Sequence, residues 1–154
     1  MEYEIGMVGL GVMGRNLVMN MADHGIAVAG YDQNLAQVQS LRSEAGNRSI
    51  MADDSLSYFI RSLRTPRAVM MMVPAGPPVD AVIYGLLPHL SPGDVVIDGG
   101  NSYFRDTDLR ADVLAEKDIL YLGVGISGGE QGARSGPSGA RGLKSSWAGN
   151  ILSM

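Results

Sequence analysis

Ile5-Gly6-Met7-Val8-Gly9-Leu10-Gly11-Val12-Met13-Gly14 decides how this chain folds. Residues 5–10 are a short apolar run, the pattern of a strand buried on both faces. Gly9, Gly11 and Gly14 then fall in the spacing G-x-G-x-x-G, and Met13, Leu17, Val18, Met21 and Ala22 recur at helical spacing behind them. A glycine fingerprint set between a strand and a helix has a mechanism. Gly9 permits the tight turn, Gly11 lets a pyrophosphate approach the backbone, and Gly14 lets the helix pack close to the strand. Free N–H groups at the helix start would face the phosphates. Leu10, Val12 and Met13 complete this candidate cofactor loop. The plainer alternative is a glycine-rich turn with no ligand.

Outward from this loop, strand and helix alternate. Gly25 after His24 stops the first helix. Strands are expected at 4–10, 27–31, 68–73, 94–97 and 119–124, with a short one near 49–52. Helices are expected at 13–24, 35–41, 55–63, 79–87 and 105–117, the third capped by Asp54 or Ser55 and the fourth opened by Pro77-Pro78. This alternation predicts an α/β fold of Rossmann type: a doubly wound, mainly parallel sheet with helices on both faces. Ligands of such sheets sit beyond the carboxyl ends of the strands. Every glycine-rich loop here follows a strand, so the loops are expected to converge on one edge.

Composition narrows the partners. The 154 residues, 45% hydrophobic and 18% charged, fit one domain and argue against disorder. A net charge of −4 argues against a nucleic-acid partner, which wants clustered Lys and Arg. With no Cys there are no disulfides or thiolate metal sites, and His24 and His89 leave little for a histidine metal site, so no metal is expected. No apolar run is long enough to span a bilayer. The acidic start Met1-Glu2-Tyr3-Glu4 is unlike a signal or transit peptide, and the cytoplasm is the expected location. The 21 glycines are about twice the usual share.

Asp32 supplies the second half of the dinucleotide pattern. It lies 23 residues after Gly9, at the end of Ala29-Gly30-Tyr31-Asp32. A carboxylate there can accept both ribose hydroxyls of NAD and would repel the 2′-phosphate of NADP. The following Gln33 and Asn34 are neutral, where an NADP site usually brings an Arg. The alternative is a solvated Asp capping the next helix. Val73-Pro74-Ala75-Gly76 could line the cofactor near the nicotinamide ribose. Met70-Met71-Met72 read as ordinary buried strand residues. Asp98-Gly99-Gly100-Asn101-Ser102 and Gly125-Ile126-Ser127-Gly128-Gly129-Glu130 each follow a strand and together outline a polar pocket. Asn101 offers a donor and acceptors there, and Ser127 a hydroxyl. His24 suits a helix end, His89 and Lys117 read as surface, and Glu130 could pair with Arg134.

Three stretches together resemble the decarboxylating 6-phosphogluconate dehydrogenases. They are Gly9-Leu10-Gly11-Val12-Met13-Gly14-Arg15-Asn16-Leu17, Ile97-Asp98-Gly99-Gly100-Asn101-Ser102 and 125–134, continued by Gly136-Pro137-Ser138. The wider β-hydroxyacid dehydrogenases share the first loop and the Ser-Gly-Gly run. The Asp-Gly-Gly-Asn-Ser run and the Glu-x-Gly-Ala-Arg extension favour the 6-phosphogluconate branch. The resemblance implies hydride transfer from C3 of 6-phosphogluconate to the nicotinamide, without a metal. Loss of carbon dioxide then gives an enediol and ribulose 5-phosphate, a step of the pentose phosphate pathway. It implies that Gly9 to Gly14, Asp32, Gln33, Asn34, Val73, Pro74, Ala75 and Asn101 hold the cofactor. Asn101, Ser127, Gly128 and Gly129 would contact the sugar-acid phosphate.

The chain departs from the family pattern in three places. NADP-using members carry Asn-Arg-Ser/Thr where this chain has Asp32-Gln33-Asn34, and Lys where it has Pro74, so it resembles an NAD-preferring member. Gly139-Ala140-Arg141-Gly142 replaces the family's apolar residue and Met-Pro-Gly-Gly, while Leu143-Lys144-Ser145-Ser146-Trp147 is family-like again. Residues 1–138 are therefore expected to form the dinucleotide-binding domain and 139–154 an atypical tail. In the family a long helical part follows, bearing the catalytic Lys and Glu and most of the homodimer contact. Neither Lys117 nor Lys144 matches that Lys, so no catalytic residue is assigned. The 154-residue chain is read as truncated, binding a dinucleotide with little or no turnover. The rival readings are a non-catalytic dinucleotide module and a 3-hydroxyisobutyrate-type dehydrogenase.

Overall fold

The computed structural model describes residues 2–100 and 103–125, and of Phe104 the backbone alone. Six strands, β1 (Ile5–Val8), β2 (Val28–Tyr31), β3 (Ile50–Asp53), β4 (Ala68–Met71), β5 (Val95–Asp98) and β6 (Leu120–Gly123), alternate with five helices. These are α1 (Val12–Asp23), α2 (Leu35–Ala45), α3 (Leu56–Arg61), α4 (Pro77–Leu86) and α5 (Phe104–Ala115). The strands lie in the order β3-β2-β1-β4-β5-β6, and every neighbouring pair is parallel. This is the Rossmann-type doubly wound sheet expected from the alternation. The chain builds outward from β1 to β3, crosses back to lay β4 on the other side of β1, and builds outward again. The reversal leaves a crevice between β1 and β4 at their carboxyl ends, the usual ligand position of such sheets.

Residue alternation sends the core to both faces. Met7, Met70 and Ile97 pack with Leu17, Val18 and Met21 of α1 and Val38 and Leu41 of α2. Their neighbours Val8, Val69, Met71 and Val96 face the other way, against Phe59 and Ile60 of α3, Val79, Ile83 and Leu86 of α4, and Leu114 of α5. All four residues of β1 and of β4 are buried, which is why both read as unbroken apolar runs. Met70 and Met71 are core, as expected, whereas Met72 lies past the end of β4 and is half-buried.

Several bounds differ from the sequence reading for local reasons. Strand β1 stops at Val8 because Gly9, at φ 97°, turns the backbone out of the sheet. Helix α2 runs a turn past Leu41, since Ala45 continues the buried positions Val38 and Leu41, and Gly46 ends it. The short strand near 49–52 is present as β3. Helix α3 covers only 56–61, and Ser55 caps it by accepting from Tyr58 N at 3.3 Å. No described helix is long and apolar enough to cross a membrane.

Candidate functional site

The loops leaving β1, β2, β4 and β5 meet because the strands are in register. Gly9 N donates to the Tyr31 carbonyl (3.0 Å), Met72 N to that of Val8 (2.8 Å) and Gly99 N to that of Met71 (2.9 Å). A side chain at Gly9 would strike the Met72 carbonyl, and one at Gly14 would strike the Gly9 carbonyl. Fold alone therefore demands glycine at both. Gly11 is different: its φ is −67°, and a Cβ built there meets nothing within 4 Å. Gly11 is also the N-cap of α1 and supplies no side-chain cap. The helix ladder begins with Arg15 N donating to the Gly11 carbonyl at 2.9 Å. Among the described residues no side-chain cap takes up the amides of the first turn, an arrangement that, with the positive end of the helix dipole, can hold an anion.

Asp32 joins this loop to the next one. Its Oδ2 accepts from Leu10 N and its Oδ1 from Asn34 N, both at 2.9 Å. Each oxygen retains a lone pair for another donor. The N-cap of α2 is Asn34, whose Oδ1 accepts from Ala36 N at 3.0 Å, so helix capping does not account for Asp32. The Leu10 side chain is fully buried in the core. Arg15, beside the loop, is turned onto its own chain: one Nη donates to the Leu10 carbonyl (2.8 Å) and to Gln37 Oε1 (2.6 Å). Its Nε lies 3.4 Å from Glu44 Oε1, a charge contact without hydrogen-bond geometry.

Next to Asp32 is a cavity of about 330 Å³ lined by Gly9, Tyr31, Gln33, Val73 and Pro74 and by Pro78, Ala81 and Val82 of α4. Helix α4 buries Val79, Ile83 and Leu86, and 78, 81 and 82 form the adjoining stripe. The sequence reading missed this stripe, although its spacing beside the core positions is visible in the sequence. Tyr31 packs its ring 5.7 Å from that of Phe59. Burial, and after it the charges of Asp32 and Asp54, push the Tyr31 hydroxyl pKa up. On the neighbouring strand end Asp53 lies 3.6 Å from Arg42, whereas no ion pair to Asp32 or Asp54 forms among the described residues.

Gly9, Asp32, Gln33, Val73 and Pro74 thus share one cavity. Gly11, Val12, Met13 and Gly14 open α1 beside it, and Ala75 is exposed in the loop before α4. The loop after β5 joins them, since a Cβ on Gly100 would lie 2.8 Å from the Val73 carbonyl oxygen. Asn101, Ser127, Gly128 and Gly129 lie outside the described residues, as do Glu130, Arg134 and the tail 139–154. His24 ends α1 with its Nδ1 2.8 Å from the Asn20 carbonyl oxygen, and His89 is exposed. Among the described residues no cluster of three metal-ligating side chains occurs.

Residues 4–148 match the family model of the NAD-binding domain of 6-phosphogluconate dehydrogenase. The chain is 53% identical over 139 residues to a decarboxylating 6-phosphogluconate dehydrogenase of Chlamydia pneumoniae, covering 90% of this chain and 29% of that protein. Among solved structures, a Plasmodium falciparum 6-phosphogluconate dehydrogenase, described with its cofactor NADP+ and its substrate 6-phosphogluconate, superimposes with a TM-score of 0.84 at 36% identity. That match covers 88% of this chain and 30% of the other. A 3-hydroxyisobutyrate dehydrogenase of Salmonella typhimurium covers 99% of this chain and 53% of its own, with a TM-score of 0.80 at 22% identity, a likeness of fold alone. The chain spans about 29% of the length of the Chlamydia relative.

Proposed function

The chain belongs to the family of 6-phosphogluconate dehydrogenase NAD-binding domains, and on that premise we propose that it is the cofactor-binding part of an NAD-linked oxidoreductase. Its reaction is the oxidative decarboxylation of 6-phosphogluconate to ribulose 5-phosphate, in the cytoplasm and the pentose phosphate pathway. The observation that carries the reading is the Leu10 N to Asp32 Oδ2 bond, which fixes a carboxylate beside the open face of the glycine loop. The residues fit a dinucleotide. Space is clear in front of Gly11, the first turn of α1 has no side-chain cap at Gly11, and the cavity beside Asp32 suits a flat, largely apolar ring system.

In this reading Gly11, Val12, Met13 and Gly14 hold the pyrophosphate through the helix start, and Asp32 takes the ribose hydroxyls. Gln33, Val73, Pro74 and the α4 stripe enclose the adenine. Ala75 and Asn101 serve the nicotinamide half, and Asn101, Ser127, Gly128 and Gly129 the sugar acid. The bound nicotinamide accepts the hydride; the chain binds, orients and excludes water. Residues 1–138 are the binding domain and 139–154 an atypical tail, although the family match runs on to residue 148. General acid–base groups belong to the remaining length of the relatives, where the homodimer contact is also placed. NAD is favoured over the NADP+ of the Plasmodium protein because Asp32 and Asp54 stand without a cationic partner among the described residues.

The test is a calorimetric titration with NAD and, separately, NADP. Saturable binding with NAD tighter supports the reading. Tighter NADP overturns the cofactor assignment, and no binding of either overturns the site.

A further inference from the structure

Two pairs of polar side chains, Asp98 with Tyr121 and Asp80 with Arg110, lie under the second half of the crevice, and the sequence reading did not single them out. Asp98, 1% exposed at the end of β5, accepts from Gly100 N through Oδ1 (3.0 Å) and from the Tyr121 hydroxyl of β6 through Oδ2 (3.0 Å). The Arg110 charge also acts on the Tyr121 hydroxyl, drawing its pKa down against the larger upward push of burial and Asp98. Arg110, 8% exposed on α5, donates through Nε to Asp80 Oδ1 (2.8 Å) and through Nη2 to the Gly76 carbonyl (3.3 Å). Gly76 is the N-cap of α4 and Asp80 lies in its first turn. Tyr121 with Asp98 therefore braces the start of the loop that leaves β5, and Arg110 with Asp80 braces the loop that leaves β4. Where these loops touch, Gly100 lies against the Val73 carbonyl.

Asp98 and Arg110 are buried while Asp80 is half exposed, and burying charged groups is costly unless they are paired, so these contacts fix geometry more than they add stability. In a doubly wound sheet each half of the strands receives one nucleotide. The β1–β2 half carries Asp32, which leaves the β4–β5–β6 half for the nicotinamide nucleotide. We infer that Tyr121 and Arg110 are positioning residues that hold the β4 and β5 loops in register for the nicotinamide end of the dinucleotide. This rests on the dinucleotide reading above. Neither residue touches the cofactor in this account: both act through Asp98 and the carbonyl of Gly76. Burial and the nearby Asp98 carboxylate push the Tyr121 pKa up, so its hydroxyl stays a donor across the working pH range.

The experiment compares NAD with ADP-ribose, which lacks the nicotinamide, on the whole chain and on Tyr121→Phe. The expected result is a loss of roughly fivefold or more in NAD affinity, with ADP-ribose affinity held within about twofold. Arg110→Lys keeps the charge facing Asp80 but loses the planar fork, and is expected to lose NAD affinity to a smaller degree. If Tyr121→Phe fails to fold, Arg110→Lys carries the comparison. An equal fall for both ligands makes these contacts merely structural and overturns the inference. So does no change for either, or a parent chain that binds NAD no more tightly than ADP-ribose. A parent chain that binds neither ligand instead removes the dinucleotide reading itself.

Discussion

Reversing the charge pattern at the end of β2 is expected to move cofactor preference from NAD to NADP. The perturbation is Asp32→Asn with Gln33→Arg. Asn is chosen over Ala because Asp32 holds two amides, Leu10 N and Asn34 N, at 2.9 Å. Ala would leave both without an acceptor, at about 1–3 kcal/mol for each one buried. Asn keeps one acceptor and loses the charge. A phosphate about 6 Å from the carboxylate is repelled by roughly 0.7–3 kcal/mol per unit charge, depending on how much water screens the pair. Removing that term and adding an Arg contact of about 1.5–3 kcal/mol favours NADP. The ratio of NAD to NADP dissociation constants is therefore expected to shift by about two to four decades. Titration calorimetry of the parent and variant chains with each cofactor measures it. A ratio unchanged within about threefold would refute the placement of Asp32 at the ribose. A parallel fall in both affinities and in melting temperature would show instead that the carboxylate only braces the loops.

The glycines separate fold from function. Gly11→Ala is expected to leave the melting temperature within about 2 °C, since its φ is ordinary and its Cβ meets nothing, while NAD affinity falls tenfold or more, roughly. Gly14→Ala should instead destabilise the domain, because its methyl meets the Gly9 carbonyl; thermal melts of the two variants make the contrast. At the opposite end of the sheet, Asp94 is 1% exposed and accepts from Arg67 N (2.6 Å) and Ser91 N (2.8 Å). Asp94→Ala strands both amides and is expected to cost about 2–4 kcal/mol, a drop of roughly 5–15 °C that a melt would miss only if water replaced the carboxylate. The hydrogen bond from Arg110 holds the Asp80 pKa below the usual carboxylate value. A depressed folded pKa stabilises above the unfolded value, about 3.9, and that stability is lost as pH falls through the folded one. The melting difference between parent and Asp80→Asn should therefore be constant near neutrality and shrink below about pH 4, and a difference that grows on acidification would reverse the assignment.

The fold was legible because it is written in local signals. Apolar runs at β1 and β4, glycines after strands and Ser55 before α3 each act through backbone conformation or nearest-neighbour hydrogen bonds. Boundaries were less legible where an element ends on a weak residue, as α2 does at Ala45, whose burial depends on β3 and β2 packing beneath it. In the candidate site, the glycine loop and Asp32 could be found by spacing alone. The 78–81–82 stripe of α4 was visible only as the flank of a core pattern.

What the sequence determined by itself was the alternation of strand and helix, the glycine fingerprint and a carboxylate at the right interval behind it, since the first two depend on residues close in the chain and the third on a recognisable motif spacing. Tertiary structure decided the rest. It set the strand order that places β4 beside β1, tied Arg15 to the Leu10 carbonyl and to α2, and gave capping to Asn34 so that Asp32 could bridge two loops. It also joined Asp80 to Arg110 and Tyr121 to Asp98 across intervals of 30 and 23 residues. Those contacts belong to no spacing motif, because they exist only once the sheet has brought distant strands into register.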